Sequence, residues 1–281
     1  MLDCGESELR ENRETLMSGS VGLPAVNKVS FSAPFSWLAG AWRDLMKAPI
    51  VFFAYGGVIA LFSFGLCYAL VATDAAFWVI ALTCGFVFIA PILAMGVYEG
   101  GRMIEHGERP TLDRVLFVHP ALRQDVFYLG LALLIIFLFW TRIAQIVYGL
   151  STYQFHATID DFVNFALHTK DGHTMLISGA IAGGAVAFLT FCLVVVSAPM
   201  LLDRRTNVFA ATFTSLRVVG ENFAPMLLWA AIIVVLLLAA APTGFLAFTV
   251  IIPLLGLASW RAYRDLVAET PQKSAAAQTP L

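Results

Sequence analysis

The chain has 281 residues, of which 59% are apolar and only 13% charged, with a mean hydropathy of +0.82; soluble globular domains run at roughly 45–50% apolar and 25% charged. This excludes an ordinary soluble domain, because repeated uncharged runs of about twenty residues are what a hydrocarbon layer about 30 Å thick demands of helices rising 1.5 Å per residue. A net charge of −2 supplies no basic field, so nucleic acid is not an expected partner.

Residues 1–29 are polar, with mixed charge around Glu6, Arg10 and Glu14 followed by a Gly/Ser/Pro stretch, and read as a mobile cytoplasmic tail. Met1 to Ser20 is too polar for a secretory signal, so the first span is expected to act as its own insertion signal. Beyond Pro34, the residues Phe35, Leu38, Ala39, Trp42, Leu45 and Met46 follow helical spacing over a stretch too short to span. The two tryptophans Trp37 and Trp42 and the basic Lys47 suit a helix lying in the headgroup plane.

Pro49 then opens a first span, 50–71, turned at Thr73-Asp74 into a second, 77–97, with Pro91 near its inner end. Glu99, Arg102, Glu105, His106, Glu108 and Arg109 follow as a charged, water-facing extension with helical pair spacings. It reads first as a solvated helix end and second as a binding surface. Thr111 caps a short helix carrying Leu112, Val115 and Leu116, and Pro120 breaks it before a third span, 126–148. A longer outer loop, 149–174, precedes the fourth span, 175–196, with Pro199 at its inner end.

The last unit opens with Phe209, Phe213, Leu216 and Val219 on one helical face. It crosses an apolar run, 223–241, turns at Pro242-Thr243, and returns through Pro253 to the polar Trp260-Arg261-Ala262-Tyr263-Arg264-Asp265. The expected fold is therefore all-α: a polytopic transmembrane bundle of six spans arranged as three hairpins, each preceded by an interfacial or short cytoplasmic helix. The units are 30–109, 110–205 and 206–268 within one membrane domain, 30–268. A disordered cytoplasmic tail, 269–281, closes the chain.

Lysine and arginine orient the spans. They gather in the N-terminal segment (Lys28, Arg43, Lys47), in the second and fourth connections (Arg102, Arg109, Arg114, Arg123; Arg204, Arg205, Arg217) and after the last span (Arg261, Arg264). The three opposite connections hold only Lys170, which puts both termini in the cytoplasm. Every unit starts and ends on the same side, so the repeats are parallel in topology.

Ser197-Ala-Pro-Met-Leu-Leu-Asp-Arg204, with Thr214-Ser-Leu-Arg217, Asn222, Pro225-Met-Leu-Leu-Trp-Ala230, Thr243-Gly-Phe245 and Ala258-Ser-Trp-Arg-Ala-Tyr-Arg264, resembles a bacterial family of predicted integral membrane proteins of unknown function. The likeness runs from about Ser30 to Val267. It implies a six-span protein of a Gram-negative inner membrane without an established activity. In that family histidines often occupy the positions of Leu257 and Arg261, so a histidine-based metal or proton role at that end is not expected here. Some relatives are labelled oxidase-like, but none of the five histidines lies inside an expected span, leaving a buried haem without imidazole ligands. No cofactor is expected.

Three constellations remain as candidate chemistry. Arg142, with Gln145 one turn on and Trp140 beside it, is the formally charged residue well inside a span, where arginine costs about 2.5–3.5 kcal/mol on insertion scales. Three readings stand: snorkelling to the outer headgroups, a partner at Asp160 or Asp161, or an anionic solute or lipid site. The outer loop carries His156, His168 and His173 with Asp160, Asp161 and Asp171, residue types zinc accepts, though without a tight metal spacing. Gly179 and Gly183 favour close helix packing, within the monomer or across a dimer, and the oligomeric state stays open. Cys67, Cys84 and Cys192 fall inside apolar runs without paired spacing and read as packing residues. The expected role is a non-enzymatic membrane component interacting with lipid or another membrane protein, with a small-solute transporter or channel as the alternative.

Overall fold

The structure, a computed structural model, describes residues 23–72, 90–118, 124–152 and 159–268. The described residues are helical, apart from connections and one isolated antiparallel bridge between Val26 and Val267. In chain order the helices are α1 (Ala33–Leu45), α2 (Pro49–Ala72), α3 (Met95–Glu105), α4 (Leu112–Leu116), α5 (Gln124–Ser151), α6 (Ile159–His168), α7 (Lys170–Val194), α8 (Ser197–Asp203), α9 (Val208–Glu221), α10 (Phe223–Ala240) and α11 (Phe248–Leu266).

Among the described residues, four helical stretches are long and apolar enough to cross a membrane: Pro49–Leu70, Gln124–Ser151, Lys170–Asp203 and Phe223–Thr243. They correspond to the first, third, fourth and fifth expected spans. The other two stand differently. Most of the second, 77–89, lies outside the described residues, as do the Thr73-Asp74 turn, Pro120, residues 1–22 and residues 269–281. The sixth is α11, whose last two turns carry Arg261, Arg264 and Asp265 and so interrupt the apolar run within its 19 residues.

Among the described residues, short helices precede each of the four long stretches: α1 before α2, α4 before α5, α6 before α7, and α9 before α10. Local chemistry sets their ends. Pro34 and Pro49 sit in first turns, where no intrahelical N–H is needed. Asn207 caps α9, its side-chain oxygen accepting from Ala210 N at 2.7 Å. Pro199 explains the break between α7 and α8, since a proline ring excludes the carbonyl four residues back. Two residues there leave the helix, and Val196 N donates instead to Ser215 Oγ at 3.2 Å. The turn after α10 is longer than the sequence indicates, with a 3-10 turn over Ala241–Thr243 followed by Gly244 at φ 60° and Phe245 at φ 67°.

α11 is the centre of the molecule. It is buried on nearly every side, packing along α1, α2 and α3, as expected of a helix enclosed by others. Pro253 lacks an N–H, so the Thr249 carbonyl is left without its helical donor. Gly56 of α2 packs straight onto that carbonyl: a Cβ there would stand 2.3 Å from the oxygen. α1 docks through Trp37, Ala41 and Leu45, all buried, with Trp37 edge-on to Trp229 of α10 at 5.8 Å between ring centroids. Away from this core, α5, α6 and α7 make a separate cluster around Phe162, Ala166 and Met175, and Gly183 receives the Trp140 ring.

Candidate functional site

The polar groups of the described chain converge at one end of the bundle, around the C-terminal turns of α11. The sequence reading treats the charges after the second span as a water-facing extension. The structure corrects this for Glu99, which is buried, while Glu105 stays exposed although paired. Glu99 is only 4% exposed and takes a bidentate grip from Arg102, both bonds 2.8 Å, with Arg114 at 3.5 Å; that bond holds the Arg102 guanidinium above its ordinary pKa. Glu105 accepts from Arg264 Nε at 2.8 Å and from Trp260 Nε1 at 3.1 Å. Periodicity missed this because a helix end beside a bilayer carries the same residues whether its charges meet water or another helix.

The second part of the network is the pair Asp44–Arg261. Asp44 on α1 is 6% exposed, and Arg261 Nε donates to its Oδ2 at 2.7 Å. Lys47 Nζ stands 2.9 Å from the other carboxylate oxygen, so one carboxylate serves two cations. The guanidinium lies flat on α1 because residue 40 is glycine: a Cβ there would be 2.7 Å from Arg261 Cζ. The sequence marks Lys47 and Arg261 as cytoplasmic cations without joining them to Asp44. Arginine stands here where the resembling family often has histidine, and a planar, permanently charged fork suits a carboxylate better than imidazole does.

Tyr263 closes the network. Its hydroxyl donates to Asp203 Oδ2 at 2.7 Å and accepts from Arg204 Nε at 2.8 Å. Burial, and then the Asp203 charge, push its pKa above the ordinary tyrosine value, so it stays a neutral donor. Arg204 also donates to the Ala268 carbonyl at 2.9 Å. The preceding segment is tied in as well: Asp265 Oδ2 accepts from Trp37 Nε1 at 2.7 Å, and Asn222 accepts from Val29 N at 2.9 Å while donating to the Asn27 carbonyl at 3.1 Å. Asn27 N in turn donates to the Leu266 carbonyl at 2.9 Å.

Between α1, α3 and α11 this end holds a cleft of about 380 Å³, bordered by Arg43, Asp44, Lys47, Glu105, Arg261 and Arg264. A smaller cavity, about 100 Å³, lies deeper among Tyr98, Thr190, Ser259 and apolar side chains of α7, α10 and α11.

The residues singled out from sequence lie elsewhere. Arg142 is exposed on α5 and donates to Gln145 Oε1 at 3.0 Å, so these two do meet, one turn apart. His168 ends α6, His173 lies 2.8 Å from the Leu167 carbonyl through Nε2, and His156 lies outside the described residues. Among those described, no three His, Cys, Asp or Glu side chains gather as a metal would require.

Long apolar helices joined through one ionic end define a multi-pass helical integral membrane protein. Consistent with that class, residues 79–203 match the family described as predicted integral membrane protein (DUF2189), whose function is unknown. The C-terminal words quoted for the resemblance lie beyond the matched stretch, apart from Ser197 to Asp203. No curated protein and no solved structure matches the chain.

Proposed function

We propose that the chain is a six-span protein of a bacterial cytoplasmic membrane, built as three hairpins with both termini in the cytoplasm. Its role is that of a non-enzymatic membrane component engaging lipid or another membrane protein. The observation that carries this reading is the ionic end: charges from α1, α3, α8 and α11 bind one another, giving a rigid plate at the base of the apolar helices instead of a set of free reactive groups. Its abundance of Arg and Lys is the mark of a cytoplasmic face. The α2 and α5 helices meanwhile turn wide apolar surfaces outward, including Leu61, Phe62, Ile135 and Phe139, as lipid contact requires.

Transport of a small solute is the second reading, favoured by the buried hydroxyls of Tyr98, Thr190 and Ser259 around the inner cavity and by the pair Arg142–Gln145. One experiment weighs both. Protein solubilised gently in mild detergent is analysed by mass spectrometry for co-purifying lipids and proteins, then reconstituted into liposomes for solute-flux assays. A stoichiometric protein or retained lipid with no flux supports the first reading; protein-dependent flux overturns it. Labelling of single cysteines placed at Lys47 and Lys170 from opposite sides of the membrane tests the orientation.

A further inference from the structure

The α1 helix carries two stripes. Trp37, Ala41, Asp44 and Leu45 are buried against the bundle; Phe35, Trp42 and Met46 are apolar yet exposed, at 57%, 47% and 42%. Beside them stand Arg43, on the helix, and Lys47, in the turn just beyond its C-terminal cap. Both are exposed. They line one wall of the 380 Å³ cleft, a volume within the range of roughly 300–1000 Å³ typical of small-molecule sites.

The charges around that cleft do not balance. Arg43, Lys47, Arg261 and Arg264 face Asp44, Glu105 and Asp265, a surplus of one positive charge. The surplus is concentrated at the α1 wall. Asp44 is shared by Lys47 and Arg261, and Arg43 forms no ion pair among the described residues, its Nε reaching only the Ala39 carbonyl at 3.4 Å. Two cations therefore share one carboxylate, and Arg43 lines the same cleft as a third cation. The same wall borders exposed tryptophan and phenylalanine, side chains that sit at the headgroup level of a bilayer.

From this arrangement we infer that the cleft is a binding site for the phosphate headgroup of an anionic phospholipid, resting on the lipid-engaging reading above. Arg43 and Lys47 hold the phosphate, Arg261 closes the site from α11, and the Phe35–Trp42–Met46 stripe receives the glycerol and first methylenes. A free phosphate offers the same charge but leaves that apolar stripe uncovered, which favours the lipid.

The test uses the full-length protein in mild detergent, titrated with brominated phosphatidylglycerol or brominated phosphatidylcholine. Quenching of tryptophan fluorescence reports occupancy, since Trp37 and Trp260 line the cleft and Trp42 adjoins it. Phosphatidylglycerol should quench saturably and more tightly than phosphatidylcholine. A cation near a membrane surface contributes about 1 kcal/mol, so R43Q/K47Q should weaken phosphatidylglycerol binding about thirtyfold and R43Q alone about fivefold. R43Q breaks no described ion pair and covers the case in which the double variant fails to fold. R217Q, which alters a cation paired with Glu221 on α9, should change nothing. Equal affinity for the two lipids, or unchanged affinity in R43Q, overturns the proposal. Full displacement of the lipid by inorganic phosphate assigns the site to free phosphate and also overturns it. None of these outcomes touches the proposed role, which solute flux alone would sink.

Discussion

The two ends of this molecule hold together by different means. At the ionic end α1, α3, α8 and α11 interlock through shared carboxylates, a neutral tyrosine and the Gly40 seat of the Arg261 guanidinium, while nearer the start of α11 the Gly56 backbone of α2 packs onto the Thr249 carbonyl. At the other, α5, α6 and α7 meet mainly through side chains, a stacked Tyr148–Phe162 pair at 6.0 Å and Trp140 laid on Gly183, with one backbone contact where Gly172 meets the Phe165 carbonyl. Contacts to backbone or to buried charge have no slack. Contacts between side-chain tips can rearrange, so equal changes should cost unequal amounts.

The largest effect is expected at Gly56. Valine there collides with the Thr249 carbonyl, a backbone atom, so Gly56→Val should lower stability by about 3 kcal/mol or abolish recovery of folded protein. Gly57→Ala, its neighbour with nothing within 4 Å, should be neutral. Thermal unfolding in detergent followed by gel filtration compares them. Next comes Asp44→Ala, which strands Arg261 and Lys47. Breaking a buried pair costs about 3–5 kcal/mol, and the 39% exposure of Arg261 reduces this to about 2 kcal/mol. If Asp44→Ala unfolds at the wild-type temperature, the ionic end is not what locks the bundle.

At the other end, Gly183→Ala pushes on the Trp140 ring 2.7 Å away. A side chain can yield, and the expected loss is about 1 kcal/mol; a loss matching Gly56→Val would erase the contrast between backbone and side-chain contacts. The smallest effect at neutral pH belongs to Tyr263→Phe, about 1 kcal/mol for its hydrogen bonds. Its signature is pH. The raised native pKa means the unfolded chain ionises first, so this stability is intact below pH about 10 and declines above it. Wild-type protein should lose stability faster than Tyr263→Phe through that range, measured as unfolding temperature against pH.

Much of the architecture is legible in the sequence because it is written in short-range patterns. Uninterrupted apolar length marks α2, α5, α7 and α10, and Pro34, Pro49 and Pro199 mark helix starts or breaks. The candidate site is not written that way. Asp44 and Arg261 lie 217 positions apart, and nothing local distinguishes them from charges left in water. The α1 reading has the same fault: of the spaced set Phe35, Leu38, Ala39, Trp42, Leu45 and Met46, Leu45 is buried and Leu38 partly so, but Phe35, Trp42 and Met46 are exposed. The rest of the buried seam runs through Trp37 and Ala41, identifiable only once α11 is in place. The choice of Arg142 followed from its solitude in an apolar run; the groups that assemble a cleft stand at span ends, where charge is common and raises no alarm.

The stitch between Val26 and Val267, with α1 laid against α11, has a consequence for biosynthesis. Ribosomes add about 5–20 residues per second, so the 217 positions between Asp44 and Arg261 correspond to roughly ten to forty seconds in which α1 is complete and its destination does not exist. During that interval Asp44 has Lys47 beside it but no arginine, and the Trp37 seam has no helix to cover it. A segment made well before α11 is thus among the last to reach its native place, and a chain truncated before α11 leaves that segment permanently waiting.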